Sequence, residues 1–336
     1  MGHIRTCKKC GFILGTRPGL LEENGVCLAC INSEEKKQIN FSERQHWLTK
    51  YLKETRGRSK YDCVIGVSGG KDSHMIVKRL MENHGIKNPL LVSLVDEFTL
   101  SKAGKYNRDN ISRHFGVDHM LFRFNHDEFC EQALKDFKEN LHPLRWFETK
   151  LYQIPLEIAQ NFGINTVFMG ENGAFEYGVK KELDIFCPLS TDETKIIYLG
   201  AIYPYSTQDS LKAATSCGFK DLTWFHEWYR QGTIEQYAQI DSFGYLVHIW
   251  CKFPKFGFQR VSDMACRYVR EGRLTREQAV QLIRDNDYLL DPLAKDDFCR
   301  TLEISPAHFD EVVENHANYN LLYRDSNNAL KRIDFK

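Results

Sequence analysis

Two groups of residues in this chain have the types and spacing to do chemistry. One is the turn Val67-Ser68-Gly69-Gly70-Lys71-Asp72-Ser73, which follows an apolar run and opens an amphipathic stretch. Paired glycines let a backbone approach a ligand, Ser68 and Ser73 add hydroxyls, and Lys71 adds positive charge. A strand that feeds such a turn into a helix aims backbone N–H groups and the positive helix end at an anion, so phosphate binding is expected. The pattern is not the common G-x-x-x-x-G-K-[ST] loop, because the glycines directly precede the lysine and Asp72 intervenes before Ser73. A carboxylate in an anion cradle implies a Mg2+ that bridges it to phosphate, or a cap on the helix start.

The other group is Cys7-x-x-Cys10 and Cys27-x-x-Cys30, with sixteen residues between the pairs. Each C-x-x-C turn sets two thiolates on one side of a bend, and two such turns make a closed four-sulfur zinc site. Gly11 suits the first bend. With all four positions filled by protein, nothing is left to activate a water, so the expected role is structural. The other seven cysteines are scattered without pattern, as in reduced thiols of a cytoplasmic protein.

These residues need a scaffold. Residues 61–67 read as a buried strand, 73–81 as a helix ending near Gly85, and 88–96 as a second strand running into Asp96. Residues 107–116 are helical, 117–124 form a third strand, and 127–141 and 148–163 are helical, with a kink or boundary at Pro155. Residues 164–170 form a fourth strand. Strands alternating with helices predict an α/β fold with a parallel, doubly wound sheet and its ligand at the carboxyl ends of the strands. The Ser68–Ser73 turn, Asp96 and the loop from Gly170 all fall at such ends. Before this domain, Phe41, Trp47, Leu48, Tyr51 and Leu52 recur at helical spacing and predict a linking helix. The expected domains are 1–40, the cysteine module with its linker; 41–197, the nucleotide domain; and 198–336, a helical region for substrate or partner.

Lys plus Arg and Asp plus Glu both number 45, so no net basic field gathers nucleic acid. No membrane-length apolar run or secretory h-region appears, so the cytoplasm is expected. From residue 198 aromatics interleave with Lys252, Lys255 and Arg260. Core packing and clasping of a base or sugar phosphate are both open for that stretch. His226 and His248 read as structural histidines. Thr275 with Gln278 predicts a capping box, and Ser305-Pro306 a last helix start.

The stretch SGGKDS resembles the signature of the N-type ATP pyrophosphatases, or PP-loop enzymes. Together with CKKCGFILGTRPGLLEENGVCLAC, GENGAFEYG, GFKDLTWFHEWYRQGTIEQYAQIDSFGYLVH and KFPKFGFQRVSDMACRYVREGRLTREQAV, in that order, the chain resembles the N-acetyl sugar amidotransferase family. The resemblance implies an adenine nucleotide alpha hydrolase-like sheet and cleavage of ATP between its α and β phosphates. It further implies conversion of an acetamido group on a bacterial surface sugar to an acetamidino group, through an O-adenylyl imidate. Val67, Ser68, Gly69, Gly70, Lys71, Asp72, Ser73, Asp96 and Gly170 would bind ATP and Mg2+. Lys71, Asp72, Glu171, Asn172 and Glu176 would be catalytic. Ammonia would come from a separate glutaminase through a barrel-type subunit, like those of imidazole glycerol phosphate synthase. One departure concerns residues 141–159, which lack the extra cysteines the family often carries there. A tRNA thiolation enzyme is the rival within the superfamily. It would want a basic face and sulfur-carrying cysteines.

Overall fold

A computed structural model of the chain describes residues 4–57, 59–170, 172–226 and 228–336. Glu171, one of the expected site residues, lies outside them. Five parallel strands form the main sheet: β1 (Cys63–Gly66), β2 (Pro89–Val95), β3 (His119–Arg123), β4 (Thr166–Met169) and β5 (Lys195–Tyr198). Their order is β3-β2-β1-β4-β5. From β1 the chain builds outward in one direction, then crosses to β4 and builds in the other. The carboxyl ends of β1 and β4 therefore frame a topological switch point, where such sheets bind ligands.

A parallel sheet is stable only with both faces covered, which is why its strands are apolar runs rather than alternating ones. On one face pack α1 (Phe41–Thr55), α2 (Lys71–His84) and α3 (Lys102–Phe115), through Leu48, Leu52, Ile76, Leu80 and Ile111. After α4 (His126–Asn140), α5 (Arg145–Asn161) covers the other face through Ile154, Ile158 and Ala159. No boundary occurs at Pro155, and α5 runs on to Asn161. Pro155 lacks only its own N–H there, and it is buried beside the sheet. β5 was not foreseen. It is a four-residue edge strand whose Lys195 and Tyr198 are half-buried, too short to show a period. It straddles residue 197, and the following helix α6 (Thr207–Ser216) packs against α2.

The rest of the chain is largely helical, as expected. It includes α7 (Phe243–Trp250) and α8 (Arg260–Arg270), and its own core joins Phe298 and Phe309 to Phe98, Phe129 and Phe137. The predicted capping box closes the start of α9 (Arg276–Asn286), and Ser305 caps the helix Pro306–His316. A short antiparallel pair, Leu322–Arg324 with Leu330–Arg332, was hidden by its length. Among the described residues no helix is long and apolar enough to cross a membrane.

Candidate functional site

The Ser68–Ser73 turn leaves β1 and enters α2 at the switch point. Its shape is held by its own hydroxyls: Ser68 N–H donates to Ser73 Oγ (2.9 Å) and Gly70 N–H to Ser68 Oγ (3.2 Å). Gly69 has φ +89°, and a Cβ there would lie 3.0 Å from Arg108 N and Cα on α3. Glycine is therefore required both by conformation and by close approach. Gly70 is the N-cap of α2 and offers no side-chain cap. The first N–H groups of the helix remain available to an anion, and the helix dipole favours one.

Lys71 is buried, donates to Asp72 Oδ2 (2.7 Å) and Tyr205 OH (3.0 Å), and lies over the Tyr205 ring. Burial works against its charge, but Asp72 and Tyr205 more than offset that and hold its pKa above the ordinary lysine range. Asp72 keeps its second oxygen, Oδ1, buried with no hydrogen-bond partner among the described residues.

Two adjoining clefts meet at this turn. One, about 320 Å³, lies at the switch point and is lined by Val67, Ser73, Arg79, Met169, Gly170 and Tyr203. The other, about 460 Å³, runs along the end of β2 past Lys71, Asp96, Arg108 and Glu148 to residues 237–242. Ser68, Asp72, Leu94 and Leu151 belong to both.

The wall at 237–242 is the part that sequence reasoning missed. The chain there is laced to the end of β2: Ser101 N–H donates to Asp241 O (2.9 Å) and Phe243 N–H to Thr99 O (3.0 Å). Gly104 permits this approach, since a Cβ on it would sit 2.7 Å from Asp241 O. Asp241 is thereby set beside Asp96, which accepts from Phe98 N–H and Ser242 Oγ (3.0 Å each). Burial pushes Asp96 up to about 6; burial and the neighbouring Asp96 push Asp241 up to about 7. Like charges in one dry place cannot both ionise cheaply. Among the described residues Oδ1 of Asp241 is buried without a hydrogen-bond partner, as is Arg108 Nε, which lines the same cleft. Nothing in the sequence could have paired Asp96 with Asp241 across so many residues. The one available signal was an aspartate flanked by a run of aromatics.

The expected residues thus divide. Val67, Ser68, Gly70, Lys71, Asp72, Ser73, Asp96 and Gly170 come together around the clefts, while Gly69 lines neither and lies against Arg108. Asn172 and Glu176 line neither cleft. Asn172 caps the short helix Gly173–Glu176 and donates to Asp184 O (3.1 Å), while Glu176 pairs with Lys36 on the cysteine module. Of the described side chains, Glu176 thus turns toward the N-terminal module and Asn172 toward Asp184 and its own helix start, away from the anion turn. Lys255 is spent on Asn140 O (2.8 Å), Arg260 donates to Tyr177 OH (2.5 Å), and Trp250, Phe253 and Phe258 are core.

Among the cysteines, Cys10 Sγ and Cys27 Sγ lie 3.7 Å apart, Cys7 Sγ and Cys30 Sγ 4.0 Å, and all four sulfurs fall within 4.8 Å of one another. A tetrahedron of zinc–sulfur bonds of about 2.3 Å places its sulfurs about 3.8 Å apart, so the four residues fit zinc. Cys27 N–H donates to Cys7 Sγ (3.3 Å), as ligating sulfurs commonly require. The Cys7 thiol is held well below its usual range by hydrogen bonds from the other three. A dication is what would let all four ionise together. The module packs on α8 and α9, where a Cβ on Gly11 would meet Val280 at 2.6 Å. Asn32, just beyond Cys30, donates to Phe175 O and Lys180 O (2.8 Å each) and so ties the loop after β4 to the module.

Fold and site define a doubly wound α/β protein with an anion-binding turn at its switch point and a separate four-cysteine centre. Residues 231–334 match the family model of the LPS biosynthesis protein WbpG-like C-terminal domain. The resemblance read from the sequence is borne out there, at the level of lipopolysaccharide-biosynthesis proteins of this type. An uncharacterized protein of Methanocaldococcus jannaschii is 24% identical over 262 residues, covering 77% of this chain and 85% of that protein. An NH3-dependent NAD synthetase from Campylobacter jejuni overlays with a TM-score of 0.38 at 11% identity, covering 80% of this chain and 98% of that one. An NMN synthetase from Francisella tularensis overlays with a TM-score of 0.38 at 12% identity, covering 74% and 92%. Both overlays are too loose to bear on function.

Proposed function

We propose that the protein is an ATP-dependent amidotransferase of surface-sugar biosynthesis, which adenylates the acetamido oxygen of a sugar and replaces that oxygen with ammonia. The observation that carries this reading is the bare N-terminus of α2 with Lys71, facing two clefts that meet at Ser68 and Asp72. One chamber would hold the nucleoside and the other the sugar, so that the acetamido oxygen and the α-phosphate meet at the junction. The match of residues 231–334 to a lipopolysaccharide-biosynthesis domain supports a sugar as second substrate, because that stretch furnishes the wall at 237–242.

The chain's residues divide the work. N–H groups of Gly69 and of Lys71 to Ser73 hold phosphate oxygens, and Lys71, fixed by Asp72 and Tyr205, neutralises the charge that builds as pyrophosphate leaves. The oxygens of Asp72 and Asp241 that lack a hydrogen-bond partner among the described residues are hard donors of the kind that Mg2+ takes. When bound, Mg2+ would screen the phosphates against these carboxylates. Above about pH 7 the Asp96–Asp241 pair is ionised and able both to hold the cation and to accept a proton from ammonia.

Ammonia comes from a separate glutaminase in this reading. Of the eleven cysteines only Cys130 is not buried, and partial burial with Glu97, Asp127 and Glu303 raises its thiol, the wrong direction for a nucleophile. The test is incubation with ATP, Mg2+, an ammonium salt and a panel of nucleotide-linked acetamido sugars. AMP, pyrophosphate and a sugar changed in mass by exchange of O for NH are expected. ADP with phosphate, or no change in any sugar, would overturn the reading.

A further inference from the structure

Three side chains outside the anion turn converge on the far wall of the larger cleft. His142 sits in the link between α4 and α5, Glu148 in the first turn of α5, and His248 on α7. His142 Nε2 lies 3.0 Å from Glu148 Oε2, and His248 Nε2 lies 3.0 Å from Glu148 Oε1. The imidazoles stack with centroids 4.9 Å apart and planes 24° apart, and the three potential ligand atoms fall within 4.8 Å of one another. Glu148 lines the cleft that also contains Ser68 and Lys71.

From this geometry we infer a second metal site, a His142–Glu148–His248 centre for a divalent first-row transition ion such as zinc, cobalt or ferrous iron. Two imidazoles and a carboxylate are a borderline donor set that suits these ions, whereas Mg2+ and Ca2+ prefer all-oxygen shells. Ligand bonds of about 2.1 Å place neighbouring donors about 3.0 Å apart at octahedral angles and about 3.4 Å at tetrahedral ones. The two nitrogen–oxygen separations run to different oxygens of Glu148 and are hydrogen-bond lengths as they stand; they suit the octahedral arrangement with the carboxylate binding through both oxygens. The backbone that carries His142 is held in place, and His248 is fixed by packing, its Nδ1 being buried with no hydrogen-bond partner among the described residues. Asp136 accepts from Trp146 N–H (3.0 Å), its carbonyl from His142 N–H (3.2 Å), and the Tyr245 ring stacks on His248 at 5.7 Å. Three protein ligands leave positions open, and the cleft beside Glu148 is where an oxygen of its occupant would complete them.

This site differs from the four-cysteine centre in donor type, which makes the two separable without any substrate. The full-length protein, carrying zinc in its cysteine module, is titrated with Co2+ and followed by metal analysis and absorption. One further equivalent is expected, with weak visible bands and no thiolate charge-transfer band in the near ultraviolet. Glu148→Gln and, independently, His142→Ala should weaken that equivalent at least about 10-fold while the module keeps its zinc. The inference is overturned if the wild type takes up no second equivalent. It is equally overturned if both variants bind it as well as wild type, or if thiolate bands show cobalt exchanging into the cysteines.

Discussion

The cysteine module and the anion-binding cleft are built in opposite ways. The module draws its ligands from two short turns near one end of the chain, and its sulfurs face one another with no position left open. The cleft draws its walls from residues as far apart as Ser68 and Asp241, and its buried atoms Asp72 Oδ1, Asp241 Oδ1 and Arg108 Nε have no hydrogen-bond partner among the described residues. A closed set of satisfied ligands stabilises a fold. A set of buried groups left unsatisfied is held ready for a ligand, at some expense in stability. The two regions touch through Asn32, which fastens the loop after β4, so the module supports the cleft without entering it.

That contrast can be broken most sharply at Lys71. Lys71→Ala should lower the rate of pyrophosphate release by about 10³-fold, as loss of a preorganised charge at a transferring phosphate does. Zinc content should stay the same. Loss of zinc in that variant would mean that the two regions are not independent.

Next in size is Asp241→Asn, expected to lower turnover about 100-fold at pH 8 through a weakened cation and base site. The pH dependence follows from the raised values of Asp96 and Asp241. Wild-type turnover should climb as pH rises through about 6 to about 7, and the substitution should flatten that climb. Stability has the opposite sign. A carboxyl whose folded pKa lies above its unfolded one contributes most at low pH and loses that contribution as pH rises through the folded value. Without ligands, Asp241→Asn should therefore melt higher than wild type at pH 8, by less at pH 5, and about the same below the ordinary aspartate value of about 3.9.

Smaller again is Cys30→Ser. It should lower the melting temperature and speed hydrogen exchange in residues 173–180, with turnover falling only about 10-fold, because the module acts through the loop. The smallest effect belongs to Glu176→Gln. It breaks the pair with Lys36 but should leave turnover within about threefold of wild type, since neither cleft at the Ser68–Ser73 turn contains that side chain. A 100-fold loss there would move the catalytic site toward the module.

What the sequence revealed follows the same division. Both C-x-x-C turns and the Ser68–Ser73 turn are local patterns whose spacing is their geometry, and long apolar runs such as that of β2 announce a parallel sheet. β5 is too short to show a period, and the helix through Pro155 survives because burial outweighs one missing hydrogen bond. Asn172 and Glu176 sit in the expected loop, but which way a loop side chain points depends on what packs against it, here Asp184 and Lys36. Asp241 has only its aromatic surroundings as a local signature, and the His142–Glu148–His248 group is assembled across more than 100 residues. They exist only because the aromatic C-terminal core docks against α4 and the end of β2.

The central claim is that the turn after β1 directs a sugar's amide oxygen to the α-phosphate of ATP. An acetamido sugar carrying 18O in its acetyl carbonyl, turned over with ATP and ammonium, should deliver the label to the phosphate of AMP. Label recovered in inorganic phosphate, or retained in the sugar product, would contradict it.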